Sequence, residues 1–446
     1  MRTVRALLAA AVLAAPALAD KIKQEEPGPK AKGKSAEWKS KDGLLYRWYV
    51  PKSYDAEKGA NLVIFLHGTG MHRGWGLANV RVGEFRPDDI LLSPDGTTAM
   101  ERGPNFMGEP KDAKRLHALV EEMKQAFKIN ATFLYGHSNG SFFALYYAGE
   151  YPAEVQGVLA HASGVWTWTK LAEAGHHQAI VLMHGTRDPV VPFGQSVGGY
   201  EAYLEAKYPL VRLRAIEGGS HVPAEVNYRV PHTSQQLAWI EGMTTQDAAR
   251  LAVAFETLAN PKVREYHDYA ALYSLSKRIA EGAAPDALKA KARSVMDAAD
   301  SAAKAHVDAL RPPDPLKIEA EGWVGHLPMF LRAYRGVPAC DAFAETWGPV
   351  MKQHANEAIR HLRAMRTTKD PAEAFGEGVA AIREGFFYEG CTDPDFLKQL
   401  GEWRKDKKIK LPKEAVKEYD DLVPAYEKAI QEGFRSFEAA ERKAKV

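Results

Sequence analysis

Ser138, Asp188 and His221 are the residues of this 446-residue chain whose types and settings allow chemistry in common. Ser138 is the centre of Gly136-His137-Ser138-Asn139-Gly140, which follows directly on an apolar run ending at Tyr135. Glycines flanking a serine there let a strand fold sharply back into a helix, because larger side chains clash where the backbone doubles over. A hydroxyl alone is a weak nucleophile. It needs a base to take its proton, and the base needs a third group to hold its tautomer. Asp188 stands in Thr186-Arg187-Asp188-Pro189, just past the run Ala179 to Gly185. His221 follows Gly218-Gly219-Ser220, past the run Leu210 to Ile216, on a loop that glycine lets swing back over a sheet edge. The expected chemistry is acyl transfer: Ser138 as nucleophile, His221 as general base and Asp188 orienting the imidazole.

Acyl transfer passes through an oxyanion, and one aligned donor there is worth about 3 kcal/mol. The backbone N–H of Asn139, at the start of the helix after the nucleophile, is one expected donor. The second is expected from Leu66-His67-Gly68-Thr69-Gly70, with Thr69 N–H first and Gly70 N–H as the alternative. Other histidines fit the base less well. His67 and His184 end strands beside glycines, where histidine more often holds a loop, and His161 precedes Asp188. His176 and His177 lie in a loop within reach of a substrate. Trp166 and Trp168 read either as an aromatic wall for a substrate ring or as packing beneath their loop. The constellation calls for no metal and no cofactor.

These residues need a rigid frame. Glu37 to Pro51 reads as a hairpin turning at Asp42-Gly43. Asn61 to Leu66 is a continuous apolar run, the pattern of a strand buried on both faces. Asp89 to Ser93, Ala131 to Tyr135, Val155 to Ala160, Ala179 to Met183 and Leu210 to Ile216 repeat it. Helical spacing appears in Asp112 to Phe127, where Leu116, Leu119, Val120, Met123 and Phe127 share one face. Ser141 to Gly149 and Phe193 to Lys207 are further helices. Strands alternating with helices imply a mostly parallel sheet covered on both faces, with chemistry at the carboxyl ends of its strands.

Three loops in the order nucleophile, acid, histidine, each just past a strand, resemble the α/β-hydrolase superfamily. Within it, Gly-His-Ser-Asn-Gly, His-Gly-Thr-Arg-Asp-Pro-Val-Val-Pro, Leu-His-Gly-Thr-Gly and Gly-Gly-Ser-His-Val-Pro are similar to the polyhydroxybutyrate depolymerase and feruloyl-esterase-like secreted esterases. The resemblance covers residues 36–242. It implies an α/β-hydrolase sheet flanked by helices and hydrolysis of carboxylic esters, on polyester or plant-wall substrates. The chain departs from many relatives at Ser141, where they carry glycine, and at Val222, where they often carry tryptophan. The segment from Gly164 to His177 is too short for the helical cap that many hydrolases insert, which would leave Ser138 open to polymeric substrates.

From residue 243 the texture changes to Ala-, Lys- and Glu-rich stretches broken by prolines, read as a separate all-α domain of seven to nine helices over 243–446. Thr244 and Asp247 are expected to form a capping box. His354, Glu357 and His361 share a helical face, read as a charged, solvated one rather than a metal site. Before the hydrolase-like region, residues 1–19 read as a signal peptide: Arg2 and Arg5, an apolar stretch, then Ala17-Leu18-Ala19 before Asp20. Residues 20–35 read as a flexible linker. The expected protein is therefore secreted or periplasmic, without stable membrane insertion. Cys340 and Cys391, the two cysteines, are a candidate disulfide or two buried thiols. With 59 basic against 57 acidic side chains, no net field favours a nucleic acid. Two rivals to an esterase stay open at this stage, a serine peptidase of the same superfamily and an inactive hydrolase-like binding module.

Overall fold

In the computed structural model the chain divides into two compact units, Met1–Leu134 and Tyr135–Val446. Residues 24–79, 86–100, 103–107, 110–216, 218–221, 231–259, 268–310, 326–385 and 394–444 are described. Strands β1 (Ser35–Lys39), β2 (Leu45–Tyr49), β3 (Ala60–Leu66), β4 (Ile90–Pro94), β7 (Ile129–His137), β8 (Gly157–His161), β9 (Ala179–Gly185) and β10 (Val211–Ile216) form one sheet. Their order is β1-β2-β4-β3-β7-β8-β9-β10, with β5 (Thr98–Met100) and β6 (Gly103–Asn105) as a separate small hairpin.

In the first unit, β1 and β2 pair antiparallel with Lys39 opposite Leu45, as the turn at Asp42-Gly43 predicts. β2 runs antiparallel to β4, and β4 runs parallel to β3. All seven residues of β3 are buried, which is why its sequence shows no alternation. Helix α1 (Pro110–Ala126) buries Leu116, Leu119, Val120 and Met123 along one side. Residues 24–34, expected as a linker, instead lie against the hairpin. Glu25 N–H bonds Glu37 O, Gly33 N–H bonds Val50 O, and the Trp48 indole donates to Glu25 O. The hairpin's open edge supplies partners that composition alone does not reveal.

In the second unit, β8, β9 and β10 run parallel, Val158 opposite Ile180 and Leu213 opposite Leu182. Helices α2 (Asn139–Glu150), α3 (Gly194–Glu205) and α4 (Pro231–Thr244) follow the strands. From Ala248 onward the described residues form eight helices. They are α5 (Ala248–Ala259), α6 (Tyr269–Glu281), α7 (Asp286–Leu310), α8 (His326–Tyr334), α9 (Pro338–Thr367), α10 (Pro371–Glu384), α11 (Pro394–Lys405) and α12 (Lys413–Ala444). One core gathers Phe330, Tyr334, Val337 and Phe343, and another gathers Leu362, Phe375, Val379, Phe396 and Leu400. Each such side chain, taken from water, contributes roughly 1.5–3 kcal/mol.

Several expectations need correction or placing. The Thr244 hydroxyl donates back to Ile240 O at the end of α4, so it does not cap α5. Asp247 does so alone, its Oδ1 accepting from Ala249 and Arg250 N–H. His354 and His361 bond Glu384 and Glu377 of α10, and Glu357 bonds Arg360. Cys340 is a buried free thiol in the first turn of α9, its pKa pushed up to about 12 by burial. Cys391 and residues 1–19 lie outside the described residues. Among the described residues no helix is long and apolar enough to cross a membrane.

Candidate active site

The turn at Ser138 is built as its glycines demand. Ser138 sits at φ 52° and ψ −122°, between the end of β7 and the first turn of α2. An L-residue held at positive φ stores strain, and such strain gathers at functional turns. A Cβ at Gly136 would lie 2.5 Å from both Gly140 O and Ser141 Cα, so only glycine allows this closure. The turn is pinned to the neighbouring strand. Ser138 N–H donates to His161 O at 2.9 Å, and the Ser141 hydroxyl donates to the same oxygen at 2.8 Å. Ser141 thus adds a second hydrogen bond to the one that pins the turn.

The acid and base loops meet through their backbones. Thr186 N–H donates to Ile216 O at 3.0 Å and Arg187 N–H to Gly219 O at 2.9 Å. Gly218 N–H donates to the Thr186 hydroxyl at 2.9 Å. A Cβ at Gly185 would fall 2.4 Å from Gly219 C and O, which leaves no room for a side chain between the loops. The result is a continuous chain of hydrogen bonds. His221 Nδ1 donates to Asp188 Oδ2 at 2.7 Å, and Ser138 Oγ donates to His221 Nε2 at 3.0 Å. Asp188 and His221 are buried, each 7 % exposed, while Ser138 is half-buried.

Asp188 is held as a carboxylate. Burial alone raises its pKa, but hydrogen bonds from His184, His221 and Val190 N–H outweigh burial and hold it well below the usual carboxylate range. Its Oδ1 accepts from Val190 N–H at 2.8 Å and Val191 N–H at 2.9 Å. Its Oδ2 is shared between His221 and His184, the latter at 3.0 Å. His184 Nε2 also lies 2.9 Å from Val191 O, so this nitrogen carries the proton. Sequence reading assigned His184 to holding a loop; its bond to Asp188 was missed. The signal was there in His184-Gly185-Thr186-Arg187-Asp188, a short turn that brings the fifth residue back to the first.

Two further histidines lie close by. His137 and His161 are fully buried, with Nδ1 atoms 2.8 Å apart and rings stacked. Burial, followed by the neighbouring His221, lowers His137 to about 3. Burial likewise holds His161 well below the ordinary histidine range. Both rings are therefore neutral at pH 7, one donating its Nδ1–H to the other. His137 also packs against His221, ring centroids 5.2 Å apart, which limits the base's tilt.

Trp166 and Trp168 stack on each other at 5.5 Å, and Trp166 stacks in turn on Phe142 at 5.7 Å. Phe142 is on the first turn of α2, its N–H bonded to Ser138 O. Trp166 is half-buried and Trp168 is 56 % exposed, so one ring packs and the other faces solvent. The segment holding them contains only a short turn of 3-10 helix, Glu173–Gly175. Asn139 is the first residue of α2. Thr69 lies in the first unit, exposed on the turn after β3, where Met71 N–H bonds Gly68 O. His67 holds that loop, donating from Nδ1 to Gly68 O and accepting Gly96 N–H at Nε2.

Residues 107–229 match the phospholipase/carboxylesterase family, a stretch short of half the chain that contains Ser138, Asp188 and His221. Among solved structures, a thermostable esterase is 20% identical over 50% of this chain, with a TM-score of 0.35. This chain covers 62% of that esterase. The Bacillus cereus carboxylesterase is 18% identical over 45% of this chain and 94% of its own, TM-score 0.37. Est1E from Butyrivibrio proteoclasticus, with ferulic acid bound, is 16% identical over 48% of this chain and 98% of its own, TM-score 0.33. No curated protein matches. The family match and the mostly parallel sheet make the resemblance to α/β-hydrolases of the carboxylesterase type a resemblance of sequence and of architecture.

Proposed function

We propose that the chain is an exported serine esterase that cleaves carboxylic esters through an acyl-enzyme on Ser138. The observation that carries this reading is the hydrogen-bonded series Asp188–His221–Ser138, at 2.7 and 3.0 Å, ending on a hydroxyl held in a strained turn. Ser138 Oγ attacks the ester carbonyl carbon as His221 Nε2 takes its proton. Asp188, kept ionised by its four hydrogen bonds, holds the Nδ1–H tautomer and stabilises the imidazolium that forms. The imidazolium then protonates the departing alkoxide, and water, deprotonated by the same nitrogen, releases the acid. The oxyanion is assigned to the N–H of Asn139, at the positive end of α2. The exposed face of Trp168 is assigned to a ring of the substrate, which favours aromatic or sugar esters and leaves room for polymers.

Labelling with a fluorophosphonate tests the reading directly. The expected adduct sits on Ser138 and is absent from Ser138→Ala. An unlabelled chain, or a variant that still cleaves aryl esters at the native rate, would remove Ser138 from the mechanism. Mass spectrometry of exported protein tests the leader, with Asp20 expected as the first residue.

A further inference from the structure

A cavity of about 710 Å³ lies in the second unit, where the helices beyond residue 243 pack on α3 and on β10, the last strand of the sheet. None of Ser138, Asp188 and His221 lines it. Its walls are largely apolar: Leu204 and Leu213, Trp239 and Met243, and Leu327 and Leu331 line it from four elements. A space of this size, within the ~300–1,000 Å³ range that organic ligands occupy, suits a chain of a dozen carbons or more.

The charges are one-sided. Arg212, Arg332, Arg335 and Lys352 line the cavity, against a single carboxylate, Glu201, among the described lining residues. Arg212, 9% exposed on β10, is balanced by Asp268 and rests over the Trp239 ring at 5.0 Å. Its Nε and Nη1 have no hydrogen-bond partner, although buried guanidinium donors are ordinarily satisfied. Arg335 lies over the Tyr200 ring at 5.1 Å, and both it and Lys352 are exposed. An apolar slot with cations inside and at its mouth is complementary to a molecule with one anionic end and a long apolar body.

We propose that this cavity binds an aliphatic carboxylic acid, its chain among Leu213, Trp239, Leu327 and Leu331 and its carboxylate against the Arg335–Lys352 side. The site is independent of the reading given above for Ser138.

Calorimetric titration of the full-length protein with dodecanoate, 1-dodecanol and dodecyltrimethylammonium, each below its micelle threshold, is the test. Dodecanoate should bind one to one, at least tenfold more tightly than the alcohol, and the ammonium should not bind. Arg335→Glu with Lys352→Glu, both at exposed positions, should weaken dodecanoate tenfold or more and leave the alcohol unchanged. Leu331→Trp, which fills the slot, should remove both. Equal affinity for acid and alcohol, or dodecanoate binding untouched by the charge reversal, would overturn the proposal. Hydrolysis of an aryl ester by the charge-reversed protein, expected at the native rate, reads the Ser138 site separately.

Discussion

Among the described residues Ser138, Ser196 and Ser436 each bond a buried histidine, and the first and last make the sharpest contrast. Ser138 bonds His221 at 3.0 Å at the end of the sheet, and Ser436 bonds His326 Nδ1 at 2.9 Å within the helical region. Behind His221 stands Asp188, whereas behind His326 stands His306, Nδ1 to Nε2 at 2.9 Å. His306 packs against Phe330, Tyr334 and Phe437, with centroids 4.6–5.3 Å away. Ser436 lies inside the regular helix α12, while Ser138 occupies a strained turn at φ 52°. On the proposed mechanism, a hydroxyl beside an imidazole is not enough for nucleophilic catalysis. The carboxylate that steadies an imidazolium and the turn that presents the oxygen make the difference.

Replacing each serine in turn separates the two sites most widely. Ser138→Ala should lower kcat for an aryl ester by on the order of 10⁶. Ser436→Ala should leave it unchanged, and a loss there would dissolve the contrast. Asp188→Asn, which disfavours the required tautomer, should cost roughly 10⁴ in kcat. His184→Phe removes one hydrogen bond to a charged carboxylate, worth roughly 1.5–3 kcal/mol, so kcat should fall about 10- to 100-fold. His184 acts on the reaction through Asp188, so KM should stay near its native value. A kcat left at its native value would make His184 a structural residue only. His326→Phe should lower unfolding stability by about 1–3 kcal/mol in denaturant titrations without changing kcat.

Acid sensitivity sharpens the same contrast. His137 is lowered to about 3 from 6.5 by burial, so the unfolded chain takes a proton that the folded ring refuses. Its contribution to stability is complete above pH 6.5 and is lost as pH falls toward 3. Melting temperature should therefore fall across that window, and His137→Gln should flatten the slope. An unchanged slope would show that the pair with His161 is not what resists acid.

What was legible in the chain follows from how local each signal is. Asn61 to Leu66 announced a strand because burial on both faces demands an unbroken apolar run, and the turn at Ser138 was written in two glycines. Helix α4 was not foreseen. Thr233, Gln235 and Gln236 are buried in it, so no apolar stripe marks its inner side. The β5–β6 hairpin is three residues a strand, too short for alternation to register. Thr244 and Asp247 fit a capping pattern, but which helix end a hydroxyl serves depends on where the preceding helix stops. The role of His184 needed the fold of the loop after β9. The cavity needed more still, since Leu213, Trp239 and Leu331 come together only when three distant segments pack.

The acid and base loops are joined by main-chain bonds from Thr186 and Arg187 to Ile216 and Gly219, with glycine at the point of closest approach. Such a junction ignores most side-chain identities but counts residues strictly. Exchanges at Arg187 should be absorbed, whereas adding or deleting one residue between Ile216 and His221 would shift the base out of register with its partner. Variation in this part of the molecule is therefore free in spelling and fixed in length.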